Sequence, residues 1–343
     1  MAQDSIFLQA LDGAITPKPP IWFMRQAGRY LPEYRALREK AGSFLDLCFN
    51  ADLASEVTLQ PIERYDLDAA ILFADILLIP YAFGQNLKFE AGEGPILDPI
   101  PNSSDLERYR QQNIHEHLSP VYETIRKTRA GLASDKALIG FAGAPWTVAT
   151  YMLNGGSAKD PAALRARYYA EPEFVMALID LLTEATIEYL IAQIDAGVDA
   201  VQLFDSWAGG LPFPVLDQLS IRPLEKIAKA VKEARPQIPV ILFPKGVGEK
   251  LSEYALIRHA DAIGIDFAID PSWARTHISG LKTVQGGLDP LMVVAGGEAM
   301  ENAAATYLKL LHDVPYIFNL GHGFTPQTPP EHVQALVDFI RRF

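Results

Sequence analysis

The 343-residue sequence is poor in cysteine and contains no long apolar segment. Cys48 is its only cysteine, which excludes a disulfide framework and a cysteine-rich zinc site and favours a reducing, cytoplasmic location. No apolar run reaches the roughly 18 residues that a membrane helix needs. The N-terminal MAQDSIFLQALDG also lacks a basic region ahead of a long apolar core. We therefore expect neither a membrane span nor a signal peptide.

Positive charge is scarce as well. The chain has 30 Lys and Arg against 42 Asp and Glu, a formal net charge of −12, which argues against nonspecific nucleic-acid binding. An anionic ligand would therefore need a local concentration of cations. The basic stretch at residues 25–40 supplies one, and for Arg35, Arg38 and Lys40 we expect a solvated helix face.

Arg25 and Arg29 differ from the other cations of this stretch. They follow the apolar run Ile21-Trp22-Phe23 almost directly. Burying a guanidinium group is costly unless it meets an anion. The two arginines are therefore candidates for binding an anionic ligand.

Short apolar runs alternate with amphipathic segments along the whole chain. Eight runs read as strands: 20–24, 68–75, 137–142, 199–204, 239–243, 262–267, 283–286 and 315–319. Helical periodicity marks 51–64, 105–133, 161–196, 216–234, 249–259, 298–312 and 330–342. Most of the strand runs are continuously apolar, which is typical of parallel strands covered on both faces.

This alternation predicts an α/β fold, a (β/α)8 TIM barrel that forms a single domain over residues 1–343. A doubly wound open sheet is the alternative, but no G-x-G-x-x-G follows the first strand. Residues 84–95 (GQNLKFEAGEGP) predict a hairpin or loop insertion over the barrel mouth.

Polar or glycine residues follow every candidate strand, where a barrel carries its active site. The strand exits are Arg25-Gln26-Ala27-Gly28-Arg29, Asp75, Gly143-Ala144-Pro145, Asp205-Ser206-Trp207, Lys245-Gly246, Asp266, Gly286-Gly287-Leu288-Asp289 and Gly321-His322-Gly323. Together they predict a cleft at the carboxyl ends of the strands.

Four further residues at these exits are candidates for function. Asp75 is embedded in an apolar run and needs donors, either as a helix N-cap or from the N–H groups of a ligand. His322 lies between two glycines that allow close backbone approach. Tyr151 is expected at the start of a loop ending in Gly155-Gly156, and Ser206 is a possible hydroxyl donor. No metal site is predicted, since His115 and His117 do not share a helix face.

Several of these segments resemble the uroporphyrinogen decarboxylases of haem and chlorophyll biosynthesis. The resemblance rests on PIWFMRQAGR (20–29), FADI (73–76), GFAGAPWT (140–147) with Tyr151, FDSW (204–207) and NLGHG (319–323). It runs nearly from end to end.

The resemblance implies a (β/α)8 barrel and a homodimer with facing clefts. It implies decarboxylation of the four acetate side chains of uroporphyrinogen III, a small-molecule tetrapyrrole, to give coproporphyrinogen III without a metal or an organic cofactor. Arg25 and Arg29 would then meet some of the eight substrate carboxylates. Tyr151, Ser206 and His322 match family positions that contact substrate or orient its neighbours.

Without a cofactor, the electrons left by departing CO2 must enter the pyrrole ring, which is first protonated on carbon. Asp75 is the family-matched carboxylate that would stabilise the positive ring. Arg25, a bound water or Asp75 itself could supply the proton. Two rival functions are a corrinoid- or thiol-directed methyltransferase, which needs His and Cys zinc ligands, and a noncatalytic tetrapyrrole carrier, which would not need Asp75.

Overall fold

The computed structural model describes residues 2, 4–90, 94–100, 102–157 and 161–343. Its main feature is a curled sheet of seven parallel strands in the order β1-β4-β5-β6-β7-β8-β9, beside a separate antiparallel pair β2-β3. The strands are β1 (Ala69–Ile71), β2 (Leu87–Glu90), β3 (Gly94–Leu97), β4 (Ala137–Gly143), β5 (Ala200–Asp205), β6 (Val240–Pro244), β7 (Ala262–Ile265), β8 (Thr283–Gly286) and β9 (Tyr316–Ile317).

The segment 20–24 is not the regular strand that its apolar composition predicts. Only Ile21 forms a parallel bridge, with Phe318 just after β9. The Ile21 carbonyl also accepts a bond from the Asp68 amide (2.8 Å), next to β1. The Asp68 carboxylate in turn accepts from the Ile21 amide (2.6 Å). Segment 20–22 thus hydrogen-bonds at both edges of the seven-stranded sheet: the Pro20 carbonyl and the Trp22 amide bond to Phe318 (2.9 and 3.4 Å), and Ile21 bonds to Asp68.

Apolar side chains pack on both faces of the sheet. An inner core lies on the concave face and contains Trp22, Ile139, Ile241, Phe243 and Ile317, joined by residues of the first helix. The outer core, between sheet and helices, takes the alternate strand positions such as Leu138 and Leu242. Because successive strand residues point to opposite faces, this alternation produces the continuously apolar strand sequences.

The helices cover the convex face and the ends of the sheet. They are α1 (Ile6–Leu11), α2 (Pro32–Ala41), α3 (Phe44–Phe49), α4 (Ala51–Tyr65), α5 (Leu78–Ala82), α6 (Ser103–Arg110), α7 (Ile114–Gly131), α8 (Pro145–Asn154), α9 (Pro161–Ala170), α10 (Pro172–Ala196), α11 (Phe213–Leu216), α12 (Arg222–Ala234), α13 (Leu251–Ala255), α14 (Pro271–His277), α15 (Pro290–Ala295), α16 (Gly297–Leu310) and α17 (Pro330–Arg342). A π-helical turn (Asp217–Ile221) precedes α12 and a 3-10 turn (Gly248–Lys250) precedes α13.

Two predicted helices are each divided in the structure. The 105–133 prediction becomes α6 and α7, separated by an Asn113 whose side chain caps α7. The 161–196 prediction becomes α9 and α10, because Pro172 starts a new helix after Glu171. Among the described residues, no helix is long and apolar enough to cross a membrane.

The predicted insertion at 84–95 contains the antiparallel pair β2-β3, although residues 91–93 lie outside the described part of the chain. β3 also meets the end of α8, through a bridge between Ile96 and Gly156 and a bond from the Leu97 amide to the Gly155 carbonyl (3.0 Å). Phe89 of β2 packs against Phe44 (4.4 Å between ring centroids), which in turn meets Phe73 just after β1 (5.8 Å), so the hairpin lies near the carboxyl end of that strand.

Candidate active site

The carboxyl ends of the parallel strands meet along one edge, and the predicted site residues follow several of them. Asp75 comes after β1, Ser206 after β5 and His322 after β9. Arg25 follows the bridge between Ile21 and Phe318, just after β9. Because the strands are parallel, these exits lie on the same side of the sheet, as the sequence predicts.

Arg25 lies in a tight turn with left-handed backbone geometry (φ 60°), which is uncommon for a residue other than glycine. The Gln26 side chain holds this turn: it accepts from the Phe23 amide (3.1 Å) and donates to the Ala69 carbonyl of β1 (3.2 Å). The Arg25 side chain lies directly against Gly323, where a Cβ would come within 2.5 Å of Arg25 Cγ. Backbone and side chain of Arg25 are therefore both fixed by neighbours.

Asp75 is partly buried in the turn between β1 and α5. Its Oδ1 accepts a hydrogen bond from the Leu77 amide (2.8 Å), while Oδ2 has no donor in the described part of the protein. Burial raises the pKa of Asp75 to about 6, against the opposing effects of the Leu77 amide and the Arg25 guanidinium. Asp75 is thus mostly ionised at neutral pH, with one oxygen open to a ligand.

Arg25, Asp75, Lys245 and His322 are treated as one cluster, because the charges of Arg25 and Lys245 both act on His322, and Arg25 also acts on Asp75. Burial, assisted by the positive charges of Arg25 and Lys245, lowers the pKa of His322 to about 4. The imidazole is therefore neutral at pH 7. Within the described part of the chain, neither Arg25 nor Lys245 forms an ion pair with a carboxylate. The cluster offers two unpaired cations beside one carboxylate.

Ser206 and Tyr151 lie at the exits of the neighbouring strands β5 and β4. Ser206 is partly buried, and the Tyr151 ring meets the Trp207 ring edge to face at 6.2 Å. The expectation that Tyr151 begins a loop is wrong, because α8 continues to Asn154 and Gly155 ends it in a left-handed conformation. Tyr151 is thus held on a helix rather than on a loop.

The structure does not join Arg29 to this cluster. Arg25 and Arg29 are both exposed, but only Arg25 contacts Gly323 and acts on the pKa of His322. The Arg29 carbonyl accepts a bond from the Arg35 guanidinium (2.8 Å). The Arg29 charge instead acts on Tyr34, whose pKa is raised by burial to about 12 against the opposing charges of Arg38 and Arg29. Arg35 and Lys40 are exposed on α2, as the sequence predicts for a solvated face, whereas Arg38 is half-buried and donates to the Gly42 carbonyl (2.6 Å).

Two other aspartates at strand ends have structural partners. Asp205 is fully buried at the end of β5, where Thr147 donates to Oδ1 (2.5 Å) and Ser220 donates to Oδ2. Burial raises the pKa of Asp205 to about 6, although both hydroxyls oppose the rise. Asp266 accepts from the amides of Gly246 (2.6 Å) and Ala268 (2.8 Å). Both carboxylates stabilise the loops around the site.

Sequence reasoning placed Lys245 and Gly323 at strand exits but did not make either a site residue in its own right. A further signal for Lys245 was available, since it continues the alternation of Ile241 and Phe243, which lie in the inner core. The contact of Gly323 with Arg25 could not be predicted, because the two residues are far apart in the sequence. Among the described residues, no three His, Cys, Asp or Glu side chains are grouped so that they could hold a metal ion.

Comparison with known proteins places the chain in a family. The family model described as uroporphyrinogen decarboxylase (URO-D) matches residues 2–343. This chain belongs to the uroporphyrinogen decarboxylase family. The uroporphyrinogen decarboxylase of Rhodospirillum rubrum is 51% identical over 335 residues, 98% of this chain and 96% of the relative. That of Agrobacterium fabrum is 49% identical over 334 residues, 97% of this chain and 96% of the relative. The predicted resemblance is thereby confirmed.

Solved structures show that the fold of this uroporphyrinogen decarboxylase family member is shared more widely. A methyltransferase from Methanosarcina mazei superposes with a TM-score of 0.79 at 21% identity, covering 98% of this chain and 97% of that one. A B12-independent methionine synthase from Shewanella sp. W3-18-1 gives a TM-score of 0.55 at 12% identity, with 95% of each chain covered. At these identities the similarity shows a common α/β fold alone.

Proposed function

We propose that this protein removes the four acetate carboxyl groups of uroporphyrinogen III as CO2 and yields coproporphyrinogen III. Family membership, with relatives near 50% identity along the whole chain, confirms the expectation of a carboxy-lyase of tetrapyrrole biosynthesis. The observation that carries the proposal for this cleft is the open oxygen of Asp75 beside the unpaired Arg25 guanidinium. The reaction needs a carboxylate that stabilises the positively charged ring and a cation that binds the carboxylates of the substrate.

Asp75 is the proposed stabiliser of the reacting ring. A proton first adds to a ring carbon, so positive charge develops on the pyrrole before the C–C bond breaks. The departing CO2 leaves its electron pair to the ring; the methylene carbon then takes up a proton and the ring carbon loses one, which gives the methyl group. A carboxylate fixed in advance lowers the energy of that state without reorganising. The Leu77 amide holds Oδ1, which leaves Oδ2 to accept pyrrole N–H bonds.

Arg25 and Arg29 are the proposed carboxylate-binding residues, because a guanidinium group donates two parallel bonds to a carboxylate. The fixed turn and the Gly323 contact orient Arg25 before the substrate arrives. His322, neutral at pH 7, would offer a ring N–H to a substrate carboxylate. Ser206 and Tyr151 would add hydroxyl donors from the next two strand exits.

For the architecture we propose a closed (β/α)8 barrel in a single domain over residues 1–343. The support is the hydrogen bonding of segment 20–22 at both edges of the sheet, where Pro20 and Trp22 bond to Phe318 and Ile21 bonds to Asp68. The inner core adds to it, since Trp22 and Ile317 pack there with residues of the central strands.

We also propose a homodimer with facing clefts and a cytoplasmic location. Exposed apolar side chains follow β5, β7 and β8 on the cleft side, namely Phe213, Phe267, Leu291 and Met292. A second copy would cover them. Sedimentation of the purified protein would give twice the 37.8 kDa chain mass if the dimer forms. The cytoplasmic location is proposed from the single, buried Cys48.

Turnover of uroporphyrinogen III by the purified protein, treated exhaustively with a chelator, tests the function. We expect successive loss of four CO2 molecules and accumulation of a four-carboxylate product, measured by chromatography after oxidation to porphyrins. Binding without CO2 release would contradict the proposal and favour a carrier. Activity that returned only with added zinc or cobalamin would favour the methyltransferase reading.

A further inference from the structure

We propose that Lys245 is a further substrate-binding residue, whose ammonium group pairs with a carboxylate of the bound ligand between Ser206 and His322. The proposal rests on the proposed function in that it assumes a polycarboxylate ligand in the cleft. It adds a cation that faces Arg25 across His322.

The strand register fixes where Lys245 enters the cleft. Pro244 of β6 lies opposite Asp205 of β5, and the Lys245 amide donates to the Asp205 carbonyl (3.0 Å). Lys245 is therefore the neighbour of Ser206 across the two strands. Gly246, with φ +77°, then turns the chain away close to Gly209, where a Cβ on Gly246 would come within 3.3 Å of Gly209 Cα.

The alternation along β6 directs the Lys245 side chain inward. Ile241 and Phe243 belong to the inner core, whereas Val240 and Leu242 belong to the outer core. Lys245 lies two residues after Phe243, so its side chain points to the same concave face, at the rim. Its effect on His322 agrees with this direction, because the ammonium charge disfavours protonation of that imidazole.

No carboxylate of the protein neutralises the partly buried Lys245 within the described part of the chain. The carboxylates at the ends of the neighbouring strands β5 and β7 already accept hydrogen bonds from the protein. Asp205 is bonded to the Thr147 and Ser220 hydroxyls, and Asp266 to the Gly246 and Ala268 amides. A half-desolvated ammonium without a counterion is unfavourable, so an incoming carboxylate gains more from Lys245 than from a solvated lysine.

The test compares Lys245→Gln and Lys245→Arg with wild type. Lys229→Gln is the matched control, since Lys229 is exposed on α12 and only approaches Glu233 (3.8 Å). The probe is uroporphyrin, the oxidised and unreactive octacarboxylate, with binding followed by fluorescence quenching. KM and kcat for uroporphyrinogen III are measured in parallel.

We expect Lys245→Gln to raise both the Kd for uroporphyrin and KM by about 10- to 100-fold, the loss of one charge-assisted contact. kcat should change less, Lys245→Arg should recover most of the affinity, and Lys229→Gln should match wild type. The salt dependence of binding should weaken in Lys245→Gln, because one ion pair is removed. Lys245→Met, which keeps the alkyl stem, replaces Lys245→Gln if the latter does not fold.

The outcomes separate this proposal from the proposed function. Lys245-dependent binding of uroporphyrin without CO2 release would support the Lys245 assignment and contradict decarboxylation. Normal turnover with unchanged KM and Kd in a folded Lys245→Gln variant would overturn the assignment and leave decarboxylation standing. A wild-type protein that binds no uroporphyrin would overturn it as well.

Discussion

Asp75 and Asp205 are the same residue type at equivalent places, after β1 and at the end of β5, and burial raises the pKa of each to about 6. Their surroundings differ. Both oxygens of Asp205 accept from buried hydroxyls, of Thr147 and Ser220. Asp75 has a single amide donor and an open oxygen near Arg25. A perturbed pKa alone therefore does not mark a functional carboxylate, whereas an unsatisfied oxygen beside an unpaired cation does.

The largest expected effect comes from Asp75→Asn. The amide keeps the size of the side chain and removes its charge, so kcat for uroporphyrinogen III should fall about 10²–10³-fold. Binding should change much less, because cations elsewhere hold the substrate carboxylates. The measurement is kcat, together with the Kd of the product on protein checked by thermal melting.

Asp205→Asn is the matched control for this loss of charge. Its kcat per folded molecule should stay near that of wild type, because both oxygens of Asp205 already accept from the buried Thr147 and Ser220 hydroxyls. Equal losses of kcat in the two variants would remove the distinction between the two carboxylates. A near-normal kcat in Asp75→Asn would exclude Asp75 from the mechanism.

Asp205→Ala should have the largest effect on stability. It leaves the buried Thr147 and Ser220 hydroxyls without their acceptor, and each unpaired group costs about 1–3 kcal/mol. Urea denaturation should therefore show a clearly lower free energy of unfolding. Asp75→Ala, which frees only the Leu77 amide, should be milder, and the reverse order of the two variants would contradict the comparison.

The pH profile should give the smallest effect, a factor of about ten per pH unit. If catalysis needs ionised Asp75, kcat/KM should fall below about pH 6. This limb should vanish from the residual activity of Asp75→Asn and persist in Asp205→Asn. A limb at pH 6 that persists in Asp75→Asn would assign it to another group.

The free energy of unfolding should vary with pH in the opposite direction to kcat/KM. The pKa of Asp75 lies above its usual 3.8 in the folded protein, so the folded state binds the proton more tightly than the unfolded chain. This stabilisation is complete below about pH 3.8 and is lost as the pH rises through about 6. Asp75→Asn should reduce that decline in the free energy of unfolding.

The sequence predicts the central strands well and the chain ends of the sheet poorly. The β4 prediction (137–142) agrees with the structure (Ala137–Gly143) to within one residue, since a strand covered on both faces has a continuously apolar sequence. Segment 20–24 is equally apolar, yet only Ile21 forms a bridge, because Gln26 folds the following residues into a turn. Tertiary contacts of this kind are not visible in local periodicity.

The candidate site also has features that the sequence predicts and features that it does not. The positions of Arg25, Asp75 and His322 at strand exits follow from a parallel sheet and could be predicted. The free oxygen of Asp75 and the engaged oxygens of Asp205 could not, because Ser220 reaches Asp205 from a separate π-helical turn. Tyr151 was placed on a loop because the glycines after it look like loop residues, whereas Gly155 is the C-cap of α8.

The Ile21–Phe318 bridge has a consequence for how the chain matures on the ribosome. Phe318 follows Ile21 by about 300 residues, so Ile21 leaves the exit tunnel long before its partner is made. Until then Trp22, which packs in the inner core of the folded protein, has no finished pocket. Contacts between such distant residues make folding slow, and an apolar segment that stays exposed is prone to aggregation. The nascent chain should therefore depend on chaperones that shield this segment until Phe318 has emerged.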